Sequence, residues 1–344
     1  ALNDSKVITD PEILDTRRHD YWVLSHLDNV QKRPADPPAC VVRPTCTEDV
    51  VAIVNACRES KTPLIPFGLG SGVCGGVITS PEHVLLDMSS MNRILEFDEE
   101  TEQITVEAGT RLVDIFQAVH HRLLTLPGSP TESHSSVAGA ISANVNGKDG
   151  WRHGNFSHQV VSFDMLLADG EIITVDRTHE LFNAVIGGIG LLGIVVQVTL
   201  QLKPIKSNFV EINRIPAADV DELLDTMAKV EKSHDAAVVW VDAYASGRRT
   251  GRSVVHAAKW LERDDTEEER RKYLKAGFER LEHHRRFGLA LHEKFGPILS
   301  LMLHAQRPLV HSFNRMYYAM GRLLYRLGRS SNDELFLRFN FEAS

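Results

Sequence analysis

The chain has 344 residues, enough for two domains of ordinary size. An apolar share of 43% and a charged share of 24% are those of a packed globular protein and exclude a collagenous or low-complexity chain. A net charge of −8 argues against a basic nucleic-acid surface, so no nucleic-acid partner is expected.

Residues 1–39 are polar and end in a cluster of Pro34, Pro37 and Pro38, an arm leading into the first strand. Val41 and Val42 form that strand. Thr47 then reads as an N-cap, with Glu48 and Asp49 in the first turn and Val50, Val51, Ile53 and Val54 at helical spacing. A strand over 63–67 runs into a glycine-rich loop, and 84–87 is a third strand. Residues 94–97 and 103–107 straddle an acidic turn as a hairpin. Leu112, Ile115, Phe116 and Val119 share one face of a second helix.

From about 136 to 204 a second block follows. It holds a small-residue helix over 137–143, strands over 162–167 and 171–175, a glycine turn at 187–190 and an apolar strand over 194–202. The texture changes after Pro204, and a domain boundary is expected near 205. Residues 206–260 alternate strand and helix, and 265–329 read as mostly helical and rich in Arg, Lys and His. Residues 335–341 alternate like a strand, yet the sequence stops three residues later. The strand is either an edge or part of a longer chain, and the longer chain is the expectation. The fold class is α+β.

Cys40, Cys46, Cys57 and Cys74 show no C-x-x-C pair and no flanking His at zinc spacing. They predict free thiols in a reducing compartment and no metal site. The N-terminal stretch lacks the apolar core of a signal peptide, and no run approaches the roughly 18–20 apolar residues that span a bilayer. A cytoplasmic location is expected, at most at a membrane surface.

The loop Pro66-Phe67-Gly68-Leu69-Gly70-Ser71-Gly72-Val73-Cys74-Gly75-Gly76 is the most informative stretch. Its glycines permit positive φ and close approach of a ligand, and successive N–H groups in such a turn form an anion nest. No Gly-Lys-Ser/Thr follows, so it is not a nucleoside-triphosphate loop. Nor does it open a helix as a Rossmann turn does. A plain wide turn between strands is the other reading.

The ordered set of this loop, Leu126-Pro127-Gly128, Val137-Ala-Gly-Ala-Ile141, Asn146-Gly147-Lys148, Trp151-Arg-His-Gly154, Met165–Glu171 and Gly190-Leu-Leu-Gly-Ile194 carries a resemblance over about 40–205. It resembles the FAD-linked oxidoreductase superfamily of vanillyl-alcohol oxidase and p-cresol methylhydroxylase. Decaprenylphosphoryl-ribose oxidases, sugar-alcohol oxidases and 2-hydroxyacid dehydrogenases are its nearest look-alikes. The resemblance implies a two-subdomain FAD-binding domain at 40–205, then an α/β substrate cap over 206–344, incomplete at its end.

It further implies that Phe67, Gly68, Leu69, Gly70, Ser71, Gly72, Gly75 and Gly76 hold the FAD pyrophosphate. Pro127, Gly128, Ser129, Ser136, Gly139 and Ala143 would line the ribityl chain and flavin, with Val145, Asn146, Gly147, Gly193 and Ile194 against the ring. Gly139 also reads as a site of close helix–sheet packing. Ser71 stands where tethered relatives carry His, so the FAD is expected to be noncovalent. Cys74 reads as a small buried apolar residue.

The implied activity is oxidation of a CH–OH group of a sugar, polyol, lactone or 2-hydroxyacid, with a quinone or other electron acceptor. Val145, at the position that gates oxygen, predicts a dehydrogenase, although it also reads as a plain core residue. Asn146, Lys148 and His153 are the catalytic candidates, with Arg152 beside them; Lys148 also reads as a solvated lysine and His153 as a structural histidine. A cofactor-binding piece without turnover is one alternative. Another is a membrane-surface flavoprotein. Lys294–Arg329 contains no Asp or Glu, and Arg315, Arg322 and Arg326 interleave there with Phe313, Met316, Tyr317, Leu323 and Tyr325. A cap helix with a solvated basic rim reads equally from that pattern.

Overall fold

Alternation of apolar residues with period two builds the sheets, and three- and four-residue spacing builds the helices that cover them. The computed structural model describes residues 6–18, 20–22, 35–284, 286, 307–328 and 331–336. The chain divides into two units that interleave along the sequence. The first comprises Ala1–Ala118, Leu126–Gly147 and Gly154–Lys203; the second comprises Val119–Thr125, Lys148–His153 and Pro204–Ser344.

The N-terminal arm is not merely a lead-in. It supplies β1 (Val7–Ile8) and α1 (Pro11–Asp15), the latter capped by Asp10, whose carboxylate accepts from the Glu12 and Ile13 amides. β1 pairs antiparallel with β2 (Cys40–Val42), beyond which comes α2 (Thr47–Ser60). Cys46, not Thr47, occupies the capping position, and its side chain makes no cap bond. Asp49 reaches back instead, accepting from the Thr45 amide at 2.9 Å and pairing with Lys6. A carboxylate is the stronger acceptor for such an amide.

β3 (Leu64–Phe67) and β4 (Val84–Asp87) run parallel to β2, giving the order β1-β2-β4-β3. Neighbouring residues of these strands face opposite sides. Val42 and Leu86 pack with Val50, Ile53 and Val54 of α2, while Val41, Leu85 and Phe67 pack with Leu14 of α1.

β5 (Ile94–Asp98) and β6 (Gln103–Glu107) form the expected hairpin, followed by α3 (Leu112–Val119), β7 (Leu124–Thr125), α4 (Val137–Ser142) and α5 (Gly150–His153). β8 (Val160–Leu166), β9 (Ile172–Asp176), α6 (Phe182–Val185), β10 (Ile194–Gln201) and β11 (Lys203–Pro204) complete this stretch. The five-stranded antiparallel sheet has the order β5-β6-β10-β8-β9. β10 lies at its centre, and the Thr105 and Thr199 hydroxyls meet at 3.0 Å across the β6–β10 register.

In the second unit, β12 (Phe209–Ala217), α7 (Val220–Ser233), β13 (Ala236–Val241), β14 (Ser253–Trp260), a helix α8 over 267–284, α9 (Arg307–Arg326) and β15 (Ser331–Leu335) follow in turn. The sheet order is β13-β14-β12-β15, all antiparallel. Val255 and Ala257 of β14 pack with Val230 and Met227 of α7, and Trp151 of α5 joins that core. The alternate residues face α9. The His256 Nε2 lies 3.0 Å from the Tyr317 hydroxyl, and a Cβ on Gly321 would sit 3.2 Å from Val254.

Among the described residues a strand precedes the expected one. β15 begins at Ser331 and pairs upstream with β12 as an edge strand. Residues 337–341 of the expected strand lie outside the described residues, as do 294–306 and 329 of the basic stretch.

Candidate functional site

Phe67 ends β3 with its ring buried, and the chain then turns across the start of α4. A Cβ on Gly68 would stand 2.3 Å from the Ser136 hydroxyl, so any larger residue there would displace that hydroxyl. Gly70 has φ +68°, and a Cβ on it would meet the Phe67 ring at 2.8 Å. The Ser71 and Ser135 hydroxyls lie 3.0 Å apart, fixing loop to helix. Ser136 caps α4 by accepting from the Gly139 amide at 3.2 Å.

The far end of α4 is held by the second glycine turn. The Gly187 amide donates to the Ile141 carbonyl at 3.0 Å, and the Ile189 amide to the Ser142 carbonyl at 3.1 Å. Ile189 would lie 3.1 Å from a Cβ on Gly76, so this turn stands beside the first loop. Between the two, α4 exposes Gly139 and Ala143, one helical turn apart and almost without side chains. A flat ligand can lie on that face. Gly193 has a different task. Its Cβ would come within 2.8 Å of the Leu166 carbonyl, so its size permits close packing of β10 on β8, with Ile194 buried beside it.

Among the described residues, the amides of Leu69, Gly70 and Ser71 donate to no protein acceptor. They suit an anion. The Gly75 amide is different, because it donates to the Asp20 carboxylate at 3.0 Å. Pro127, Gly128 and Ser129 are buried; Gly128 has φ +71° against the Phe156 backbone, and the Ser129 hydroxyl donates to the Leu126 carbonyl at 2.8 Å. This turn therefore presents backbone rather than side chains. Cys74 is exposed, not buried, because the loop carries it outward between Gly72 and Gly75. All four cysteines are free.

The polar candidates separate. Asn146 is exposed, Val145 is half-buried rather than core, and Gly147 is the last residue of its segment in the first unit. Lys148, Arg152 and His153 belong to the second unit. The Lys148 carbonyl accepts from the Ala237 amide at 2.7 Å, and burial pushes its ammonium down to about 8. Arg152 donates to the His234 carbonyl at 3.0 Å and faces Asp235, which gives it a structural task. His153 is half-buried in α5.

Sequence reasoning missed His256 and Asp20. Burial, with Arg214 and Lys148 nearby, pushes His256 down to about 4 against the opposing charge of Glu334. No periodicity marks a single polar residue inside an apolar strand, so His256 gave no signal. Among the described residues, no group of three His, Cys, Asp or Glu side chains could hold a metal.

A two-sheet unit that lays a glycine loop with free amides over a helix stripped of side chains is a flavin-dinucleotide-binding domain. Residues 38–176 match the FAD binding domain family. A D-lactate dehydrogenase from Anaerostipes hadrus is 29% identical over 204 residues, covering 57% of this chain and 43% of that protein. The glycolate oxidase subunit GlcD of Bacillus subtilis is 31% identical over 175 residues, covering 48% and 37%. A solved alkyldihydroxyacetonephosphate synthase shares the fold, with a TM-score of 0.63 at 17% identity over 70% of this chain and 46% of that one. The chain spans less than half the length of these relatives.

Proposed function

We propose that the chain forms part of an FAD-dependent oxidoreductase that oxidises the CH–OH carbon of a small 2-hydroxyacid and passes the electrons to a quinone-like acceptor. The observation that carries this reading is the glycine cradle on α4, with free amides at Leu69, Gly70 and Ser71 and a bare helix face at Gly139 and Ala143. The names of the lactate and glycolate relatives favour 2-hydroxyacids over sugars, polyols and lactones.

When bound, FAD supplies the two-electron chemistry. The residues of the chain do the rest. The loop amides hold the pyrophosphate, and the turns at 127–129 and 187–190 confine the cofactor with backbone. The branched side chain of Val145 restricts small molecules near the end of α4. Lys148, shifted to about 8 by burial, is the group we assign to holding or releasing a proton close to neutral pH. We also propose a cytoplasmic location, supported by the free thiols.

The deciding experiment is the visible spectrum of the purified protein under anaerobic conditions, before and after addition of D-lactate, glycolate, polyols and aldonolactones. Bleaching by a 2-hydroxyacid is the expected result. Retained FAD that no alcohol bleaches would favour a cofactor-binding piece without turnover.

One feature favours a second reading, contact with a membrane surface. α9 exposes Phe313, Met316, Met320 and Leu323 together with Arg315, Arg322 and Arg326, and 307–328 contain no acidic residue. No helix among the described residues is long and apolar enough to cross a membrane. Sedimentation with anionic but not neutral liposomes would support surface contact.

A further inference from the structure

Residues 17, 18 and 20–22 lie beside the glycine loop within the first unit. The Tyr21 amide donates to the Gly72 carbonyl at 2.9 Å, and the Thr79 amide to the Arg18 carbonyl at 3.3 Å. Asp20 is 6% exposed. One of its carboxylate oxygens accepts from the Trp22 amide at 2.9 Å and the other from the Gly75 amide at 3.0 Å. The Trp22 ring covers Gly75 so closely that a Cβ there would lie 2.9 Å from it. Arg17 sits 5.3 Å from the Phe67 ring centroid and 3.6 Å from Asp87, at the root of the same loop.

The loop therefore has two halves with opposite polarity. Leu69 to Ser71 present free amides, whereas Gly72 to Gly75 are tied to the arm around a buried carboxylate. A phosphate beside that carboxylate would be repelled. A phosphate over the first half finds donors whose positions are set because the second half cannot move.

We infer that residues 17, 18 and 20–22 fasten the FAD loop and that Asp20 is the residue that positions it for cofactor retention. This rests on the assignment of the glycine loop to FAD. A carboxylate is required because only it offers one strong acceptor to each of two amides, one two residues along the chain and the other 55 residues away. Asn offers one oxygen for both.

The test titrates apoprotein with FAD by flavin fluorescence and records the melting temperature of the same apoprotein. Asp20→Ala is expected to weaken FAD binding by about 10-fold or more, the scale of one hydrogen bond to a charged group. Asp20→Asn should fall between Asp20→Ala and the native chain. Asp10→Ala, which uncaps α1 without touching the loop, should bind as the native chain does. Native-strength binding by both Asp20 variants would overturn the inference, as would a lowered melting temperature with unchanged affinity.

Gly70→Val separates the role of the loop from that of the fastener. If it retains FAD, the loop assignment fails; if it loses FAD while Asp20→Ala binds normally, only the fastener fails. Should Asp20→Ala not fold, hydrogen exchange of the native apoprotein decides: a protected Gly75 amide supports the fastener, and an amide exchanging at the solvent rate removes it.

Discussion

Ser71 carries a prediction about how the flavin is attached. Its hydroxyl is 3.0 Å from that of Ser135, and a serine at this position offers no ring nitrogen for a flavin tether. Acid precipitation of the holoprotein is therefore expected to leave the yellow chromophore in the supernatant. Val145 poses a subtler case. It is half-buried at the end of α4, with its amide donating to Ala140 and its carbonyl accepting from Phe156. If its branched side chain excludes oxygen, Val145→Gly should speed reoxidation of dithionite-reduced protein by air in stopped flow, with the native chain slow. Equal rates would remove the gate. His256 carries a pH prediction. Folded, it titrates near 4; unfolded, near 6.5, so between those values only the unfolded chain takes up the proton. Its contribution is full above pH 6.5 and is lost as pH falls towards 4, amounting to about 2 kcal/mol between pH 7 and pH 5. His120, buried and pushed down to about 3, acts in the same direction. Urea unfolding at the two pH values should show a smaller difference for His256→Gln than for the native chain.

Among the elements, α9 is held by a buried charge rather than by apolar contact alone. Burial of Asp242 would by itself raise its pKa, but bonds from Arg252 and Asn314 bring it below the usual carboxylate range. Asn314 Nδ2 lies 2.6 Å from the carboxylate, tying the helix to the β13–β14 connection. Arg252→Met would strand that carboxylate and should cost about 3–5 kcal/mol in urea unfolding. Most elements were legible in the sequence: the β5–β6 hairpin, β10 and α7 follow from period and turn residues. β1 and α1 were not, since a two-residue strand has no period and takes its place only from β2. The α2 cap was misread by one residue because Asp49, not a capping hydroxyl, satisfies the free amide. The glycine cradle was legible as composition. Its division into a free and a fastened half was not, because the partner of Gly75 lies 55 residues away.

At the level of the whole molecule, the two units cannot be separated by one cut. The chain passes from one to the other at 118/119, 125/126, 147/148, 153/154 and 203/204. A chain ending at residue 205 would keep Trp151 but lose Val230, Ala237 and Val255, against which it packs. With Trp22 replaced by Phe in both chains, and Trp240 and Trp260 in the full one, its Trp151 emission should shift to the red relative to the full chain, and it should aggregate as the exposed apolar surface grows. An unshifted spectrum would mean that Trp151 finds another core.

The central position of β10 sets an order of events at the ribosome. β6 ends at Glu107, yet its inner neighbour in the sheet is not synthesised until 194–201. At about 5–20 residues per second, the hairpin waits several seconds for its partner. Meanwhile 119–125 and 148–153, whose unit is completed by residues beyond 203, hang as unclaimed loops. A chaperone that arrives early would meet an open strand edge at β6, and a slow codon run before residue 194 would prolong that exposure.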